Sequence, residues 1–155
     1  MTTITNLSQI SINAPLETVF NYVSDLTRHP EWSGGQLKIE ALTPGPAAVG
    51  SRYQSYGEVA GQKDRPNELR VTEYQPPTRF AFIAHDPDFK DVSHVFTFQP
   101  QGNGTLMERA VTVTMPALPA FLFRIAIYPL VGKPMMDKAL AALKAKLEQR
   151  SPAGG

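Results

Sequence analysis

A chain of 155 residues with 42% apolar and 19% charged side chains has the composition of one ordinary folded domain, which excludes a disordered or fibrous protein. The 15 basic residues against 14 acidic ones, with no long run of either sign, argue against a nucleic-acid partner or a polybasic membrane anchor. The absence of cysteine removes disulfides and thiolate metal sites.

The N-terminus, Met1 to Asn6, lacks the basic and apolar regions of a signal peptide, so a cytoplasmic location is expected. Residues 3–12 are rich in β-branched types and end in alternating Ile10 and Ile12, the pattern of a half-buried strand. Pro15 and Glu17 then mark a helix start, and Leu16, Val19, Phe20 and Val23 supply one apolar stripe. Ser24 or Asp25 can cap a second short helix that Pro30 and Trp32 end. From Gln36 to Met115 the period becomes two, as in Leu37, Ile39 and Ala41 against Lys38 and Glu40. Turn signals at Pro44-Gly45-Pro46, Gly61 to Asp64, Gln75-Pro76-Pro77, Asp86-Pro87-Asp88 and Gly102-Asn103-Gly104 divide this region into six meandering strands.

Ala117 to Val131 is apolar apart from two prolines and Arg124. It falls short of the about 20 residues that span a bilayer, so no integral membrane segment is expected, and a buried or lid helix is preferred to a membrane-surface contact. Met136, Leu140, Leu143 and Leu147 then give the stripe of a long amphipathic helix, whose approach is broken or kinked by Pro129, Gly132 and Pro134. Residues 1–150 form a single expected domain, followed by a frayed tail, 151–155.

Seven strands in one antiparallel sheet would expose a whole apolar face unless the last helix covered it, so the expected class is α+β. A strongly twisted sheet curling around one helix tends to leave a hollow at one end. The run Ala14-Pro15-Leu16-Glu17-Thr18-Val19-Phe20-Asn21-Tyr22-Val23-Ser24-Asp25-Leu26, then Pro30-Glu31-Trp32, Gly50-Ser51-Arg52-Tyr53 and Val71 to Phe80 resembles the SRPBCC superfamily, also called START-like or Bet v 1-like, and within it the polyketide cyclase/dehydrase group. That resemblance covers nearly the whole chain. It implies a helix-grip fold, a seven-stranded curved antiparallel sheet around a long C-terminal helix with two short helices after the first strand. Most of its residues are turn, cap and core positions, and none is catalytic across the family.

Strand parity yields a candidate cavity wall without the family. Val92, His94, Phe96 and Phe98 share the more apolar face of their strand and should look inward. The turn at Gln101 to Gly104 pairs Phe98 with Met107, Phe96 with Arg109 and His94 with Val111, and places Val113 and Met115 inward as well. The preceding turn sets Phe82 against His94 and Phe80 against Phe96, so four phenylalanines converge, either as plain core or as cavity lining. Trp32, Tyr53, Phe121, Ile125, Tyr128 and Met136 complete the expected lining.

His94 and Arg109 are the polar exceptions on that wall and the candidate site residues, because burying either without a partner costs several kcal/mol. In the structural alternative, His94 bonds backbone near a strand end and Arg109 pairs with a carboxylate such as Glu73, which shares a face with Leu69 and Val71. His85, Asp86, Asp88, Asp91 and His94 contain metal-ligating types, yet Asp-Pro-Asp is ordinary turn chemistry and no metal is expected. No P-loop, dinucleotide fingerprint or nucleophile elbow is present, and no cofactor is implied.

Three functions compete. The first is a carrier or sensor for a small hydrophobic molecule such as a lipid, polyketide or isoprenoid, with the segment from Pro116 to Pro134 gating entry. The second, implied by the resemblance, is a polyketide cyclase or dehydratase in which His94 is the acid or base and Arg109 stabilises an enolate oxygen. The third is a protein-interaction module using the outer sheet. A homodimer is compatible with all three.

Overall fold

The computed structural model describes residues 1–33, 37–59, 62–85 and 91–150. In chain order the elements are β1 (Thr2–Ile12), α1 (Leu16–Val23), a 3-10 turn (Leu26–Glu31), β2 (Lys38–Ala41), β3 (Arg52–Val59), β4 (Gln62–Gln75), β5 (Arg79–His85), β6 (Val92–Gln101) and β7 (Gly104–Met115). α2 (Ala117–Leu122), a π-helical segment (Phe123–Gly132) and α3 (Lys133–Arg150) complete the chain. The strands form one sheet in the order β1-β7-β6-β5-β4-β3-β2, every neighbour antiparallel. This is the helix-grip arrangement the residue pattern implies, with β2 to β7 as a meander and β1 closing onto β7.

Each element follows from its local chemistry. β1 alternates strictly at its ends, burying Ile4 and Ile12 while Thr3 and Thr5 pair their hydroxyls with Thr114 and Thr112 on the outer face, at 3.1 and 2.9 Å. α1 starts after Pro15, whose extended backbone leads into the first turn, and buries Val19, Phe20, Tyr22 and Val23. α3 buries Ala139, Leu140, Leu143 and Leu147 against the sheet. Polar ties to β1 and the residue after it help fix its position: Lys144 Nζ donates to the Ser11 carbonyl at 2.8 Å, the Asn13 N–H donates to Glu148 Oε1 at 3.0 Å, and the Ser8 hydroxyl donates to Met136 Sδ at 2.8 Å. Where β7 begins beneath the end of β1, a Cβ on Gly104 would lie 2.4 Å from the Ile12 carbonyl oxygen, so only glycine fits.

The structure departs from the residue pattern in three places. Gln62 to Asp64, read as a turn, belong to β4; residues 60–61, 86–90 and 151–155 of the expected turns and tail lie outside the described residues. In β4 a bulge between Val71 and Glu73 inserts one extra residue. Leu69 and Val71 therefore face the core, but Glu73 turns outward and pairs with Arg79, not with Arg109. The third departure is the apolar segment Ala117–Gly132. Among its residues only Ala120 is buried, because Pro119 and Pro129 and the wide π-helical turns hold it away from the sheet.

Candidate functional site

The 3-10 turn after α1 delivers two of the site's side chains. Asp25 caps it by accepting the Thr27 N–H at 3.1 Å, and the Trp32 N–H closes it on the His29 carbonyl at 3.1 Å. At three residues per turn, positions spaced by three lie on one face, and Leu26, His29 and Trp32 are all buried beneath the sheet. His29 Nε2–H donates to the Val23 carbonyl at 2.7 Å, which fixes the tautomer because a carbonyl can only accept. The His29 ring centre lies 4.7 Å from Trp32, 5.8 Å from Phe82 and 6.0 Å from Phe96. Burial lowers its pKa to about 4, an effect the Val23 bond opposes and the Arg109 charge reinforces.

The sheet supplies the facing wall in the expected register: Phe82 opposite His94, Phe80 opposite Phe96, Phe96 opposite Arg109 and Phe98 opposite Met107. Phe82 stacks on the His94 ring at 4.6 Å with the planes 8° apart. Arg109 Nη2 donates to His94 Nδ1 at 3.2 Å, so the neutral imidazole carries its proton on Nε2. The Nε2–H has no protein partner among the described residues. Burial holds the His94 pKa well below the ordinary imidazole range, and the Arg109 and His29 charges push the same way.

Arg109 is the most exceptional group in the molecule. Its guanidinium lies over the rings of Phe96 and Trp32, at 5.4 and 5.8 Å from their centres. No carboxylate reaches it among the described residues, and burial pulls its pKa down to about 10. Its Nε–H is buried without a hydrogen-bond partner, and so is the Trp32 Nε1–H beside it. The arrangement is thus a group of N–H donors, Arg109 Nε, Trp32 Nε1 and His94 Nε2, with no matching acceptor among the described residues.

The other expected lining residues separate into three groups. Phe80, Phe82, Phe96, Phe98, Met107 and Tyr53 are buried and packed, with Phe80, Phe82 and Phe96 ring centres 5.9 to 6.3 Å apart. Met136 is half-buried and accepts the Ser8 hydroxyl, and Tyr128 is half-buried against Phe123, their ring centres 6.0 Å apart. Phe121 and Ile125 are more than half exposed and line, with Thr2, Ala120 and Arg124, a hollow of about 510 Å³ beside the free edge of β1. Trp32 lies at the centre, with the Arg109 guanidinium over its ring. His85 pairs with Asp91 on the exposed surface, Asp86 and Asp88 lie outside the described residues, and no metal-ligating group of three occurs among those described.

Residue types alone did not single out His29. Its signal was there in the spacing of Leu26, His29 and Trp32, once the segment is read at three residues per turn.

The family model described as "Polyketide cyclase / dehydrase and lipid transport" matches residues 4–148. Among solved structures, protein TTHA0849 from Thermus thermophilus is similar at 19% identity and a TM-score of 0.71, over 96% of this chain and 100% of that one. Ara h 8.0201 is similar at 13% identity and a TM-score of 0.68, over 96% of this chain and 99% of that one. Protein Ms6760 from Mycobacterium smegmatis is similar at 15% identity and a TM-score of 0.67, over 94% and 92%. At these identities the likeness is one of fold. No curated protein matches.

Proposed function

We propose, from the premise that this chain belongs to the polyketide cyclase / dehydrase and lipid transport family, that it binds a small hydrophobic molecule between the sheet and the last helix. An oxygen-bearing end of that molecule meets Arg109, Trp32 and His94. The observation that carries this reading is the set of donors, Arg109 Nε, Trp32 Nε1 and His94 Nε2, that meet no acceptor among the described residues. A buried N–H left unpaired costs about 1–3 kcal/mol, more when charged, and a carboxylate, carbonyl or enolate oxygen would satisfy several at once. The apolar remainder of the ligand would lie against Val92, Val111, Val113 and Met115, which are only half-buried on the inward face.

Carriage or sensing is favoured over catalysis by the state of His94. A general base needs a free lone pair, and the lone pair on Nδ1 already accepts from Arg109. His94 can donate a hydrogen bond through Nε2, which serves recognition. The cyclase reading keeps one supporting feature, since the same Arg109 donors would stabilise an enolate. Turnover of a polyketide substrate that disappears in Arg109→Met and His94→Phe would establish it.

The direct test is native mass spectrometry of the purified protein, followed by denaturation and identification of released molecules. Calorimetric titration with lauric acid and with dodecane then separates the two parts of the site. Arg109→Met is expected to weaken the acid at least about tenfold and leave the hydrocarbon unchanged. No co-purifying molecule and no binding of either probe would overturn the reading.

A further inference from the structure

Between Pro116 and Gly132 the only side chains with a polar group are Arg124 and Tyr128, and no acidic residue occurs from Ala110 to Met136. The segment nevertheless stands out from the body of the protein. Ala120 is buried and Phe123, Tyr128 and Gly132 are half-buried on its inner side, while Leu118, Phe121, Ile125, Leu130, Val131 and Met135 are each more than half exposed. With Leu122 and Ile127, these make eight of the twelve large apolar side chains exposed among the described residues. A contiguous apolar surface of this kind marks an interaction site.

The chemistry of the patch selects its occupant. A protein interface has a polar rim and about one hydrogen bond per 100–200 Å². Up to Gly132 this surface can offer only the Arg124 and Tyr128 groups, since its helical backbone is largely bonded within itself, and beyond it Lys133 is already paired with Asp137 at 2.7 Å. Hydrocarbon asks for no hydrogen bonds at all. Arg and Tyr are also types that sit at a bilayer boundary, an aliphatic or aromatic body in the acyl region and a polar tip among head groups. Arg124 is exposed and has no ion-pair partner among the described residues, so its charge is free to meet an anionic lipid. No helix among the described residues is long and apolar enough to cross a membrane, and Pro119 and Pro129 interrupt this one.

We propose that the segment Ala117–Met135 is a membrane-docking surface that lies in the interfacial plane of a bilayer containing anionic lipids. Phe121 and Ile125, part of this surface, also line the hollow beside Thr2 at the edge of β1. Docking therefore brings that hollow at the edge of β1 to the lipid. The docking itself stands apart from the ligand reading and is measured without ligand.

The experiment is co-sedimentation of the full chain with phosphatidylcholine vesicles, with and without phosphatidylglycerol, alongside size-exclusion chromatography of the protein alone. The wild-type chain is expected to pellet with the phosphatidylglycerol vesicles. Phe121→Asp with Ile125→Asp should reduce the bound fraction by about tenfold or more, and Arg124→Glu should weaken binding only to the anionic vesicles. All three positions are exposed, and an unchanged circular dichroism spectrum and Tm would confirm the fold. Wild-type protein left in the supernatant, or variants that pellet equally, would overturn the proposal. A wild-type dimer that these substitutions dissociate, with no vesicle binding, would overturn it in favour of a second copy as the occupant.

Discussion

The two ends of the same strands are built differently. Where β6 turns into β7, Ile12, Phe20, Phe98, Met107, Leu143 and Leu147 are all buried, enclosed by α1 on one side and the C-terminal turns of α3 on the other. Toward the opposite end, Val92, His94, Val111, Val113 and Met115 continue the same inward face of β6 and β7 but stay half-buried. The apolar alternation is equally good at both ends. What differs is the cover: regular helix at one end, and at the other a proline-interrupted segment whose large side chains point mostly to solvent. Core formation in this fold thus depends on the helix that closes the sheet as much as on the sheet's own pattern. The buried polar donors on Arg109 and Trp32 lie beside this less tightly covered end.

That contrast can be broken most sharply by truncation. Leu143→Ala or Phe20→Ala at the closed end should lower stability by about 3–5 kcal/mol in urea unfolding, since both side chains are fully buried. A smaller loss there would mean that this end is loosely packed.

Acid should act next most strongly, through His29. The unfolded chain takes up this proton near pH 6.5 and the folded chain only near about 4, so the unfolded state binds more protons in between. Stability is then complete above pH 6.5 and is lost as pH falls toward 4, by about 3 kcal/mol from this group. His94 contributes in the same direction. His29→Gln, followed by urea midpoints across that range, should flatten the profile; an unchanged slope would remove His29 as its source.

Gly104→Ala should cost about 1–3 kcal/mol, because its new methyl would meet the backbone of Ile12 rather than a side chain that can rotate away. The smallest effect belongs to the open end: Val113→Ala should change stability by less than about 1 kcal/mol, since the site is already half-exposed. The contrast fails if Val113→Ala matches Leu143→Ala.

Much of this architecture was legible from residues. The short turn at Gln101 to Gly104 and the alternation in β5, β6 and β7 placed Phe82, His94, Phe96 and Arg109 in register correctly. Parity carried those assignments because hairpin register follows turn length and side chains alternate without exception in a regular strand. It failed at Glu73, where one extra residue in β4 reversed the face of everything after it. Nothing in Val71-Thr72-Glu73 announces a bulge, which answers to the twist of the assembled sheet. His29 was overlooked for a related reason: its neighbours are on other elements, and only the packing of the 3-10 turn under the sheet makes it part of the site.

The sequence by itself determined the elements, their order, the antiparallel meander and the pair of polar residues on an apolar wall, because periodicity and turn chemistry are local properties. Only the tertiary structure decided that Arg109 meets no carboxylate among the described residues, that His29 and Trp32 close over it, and that the segment after β7 turns its apolar side chains outward. Each of these depends on distances between residues far apart in the chain, set by sheet twist and by where the last helix first finds a surface to pack against.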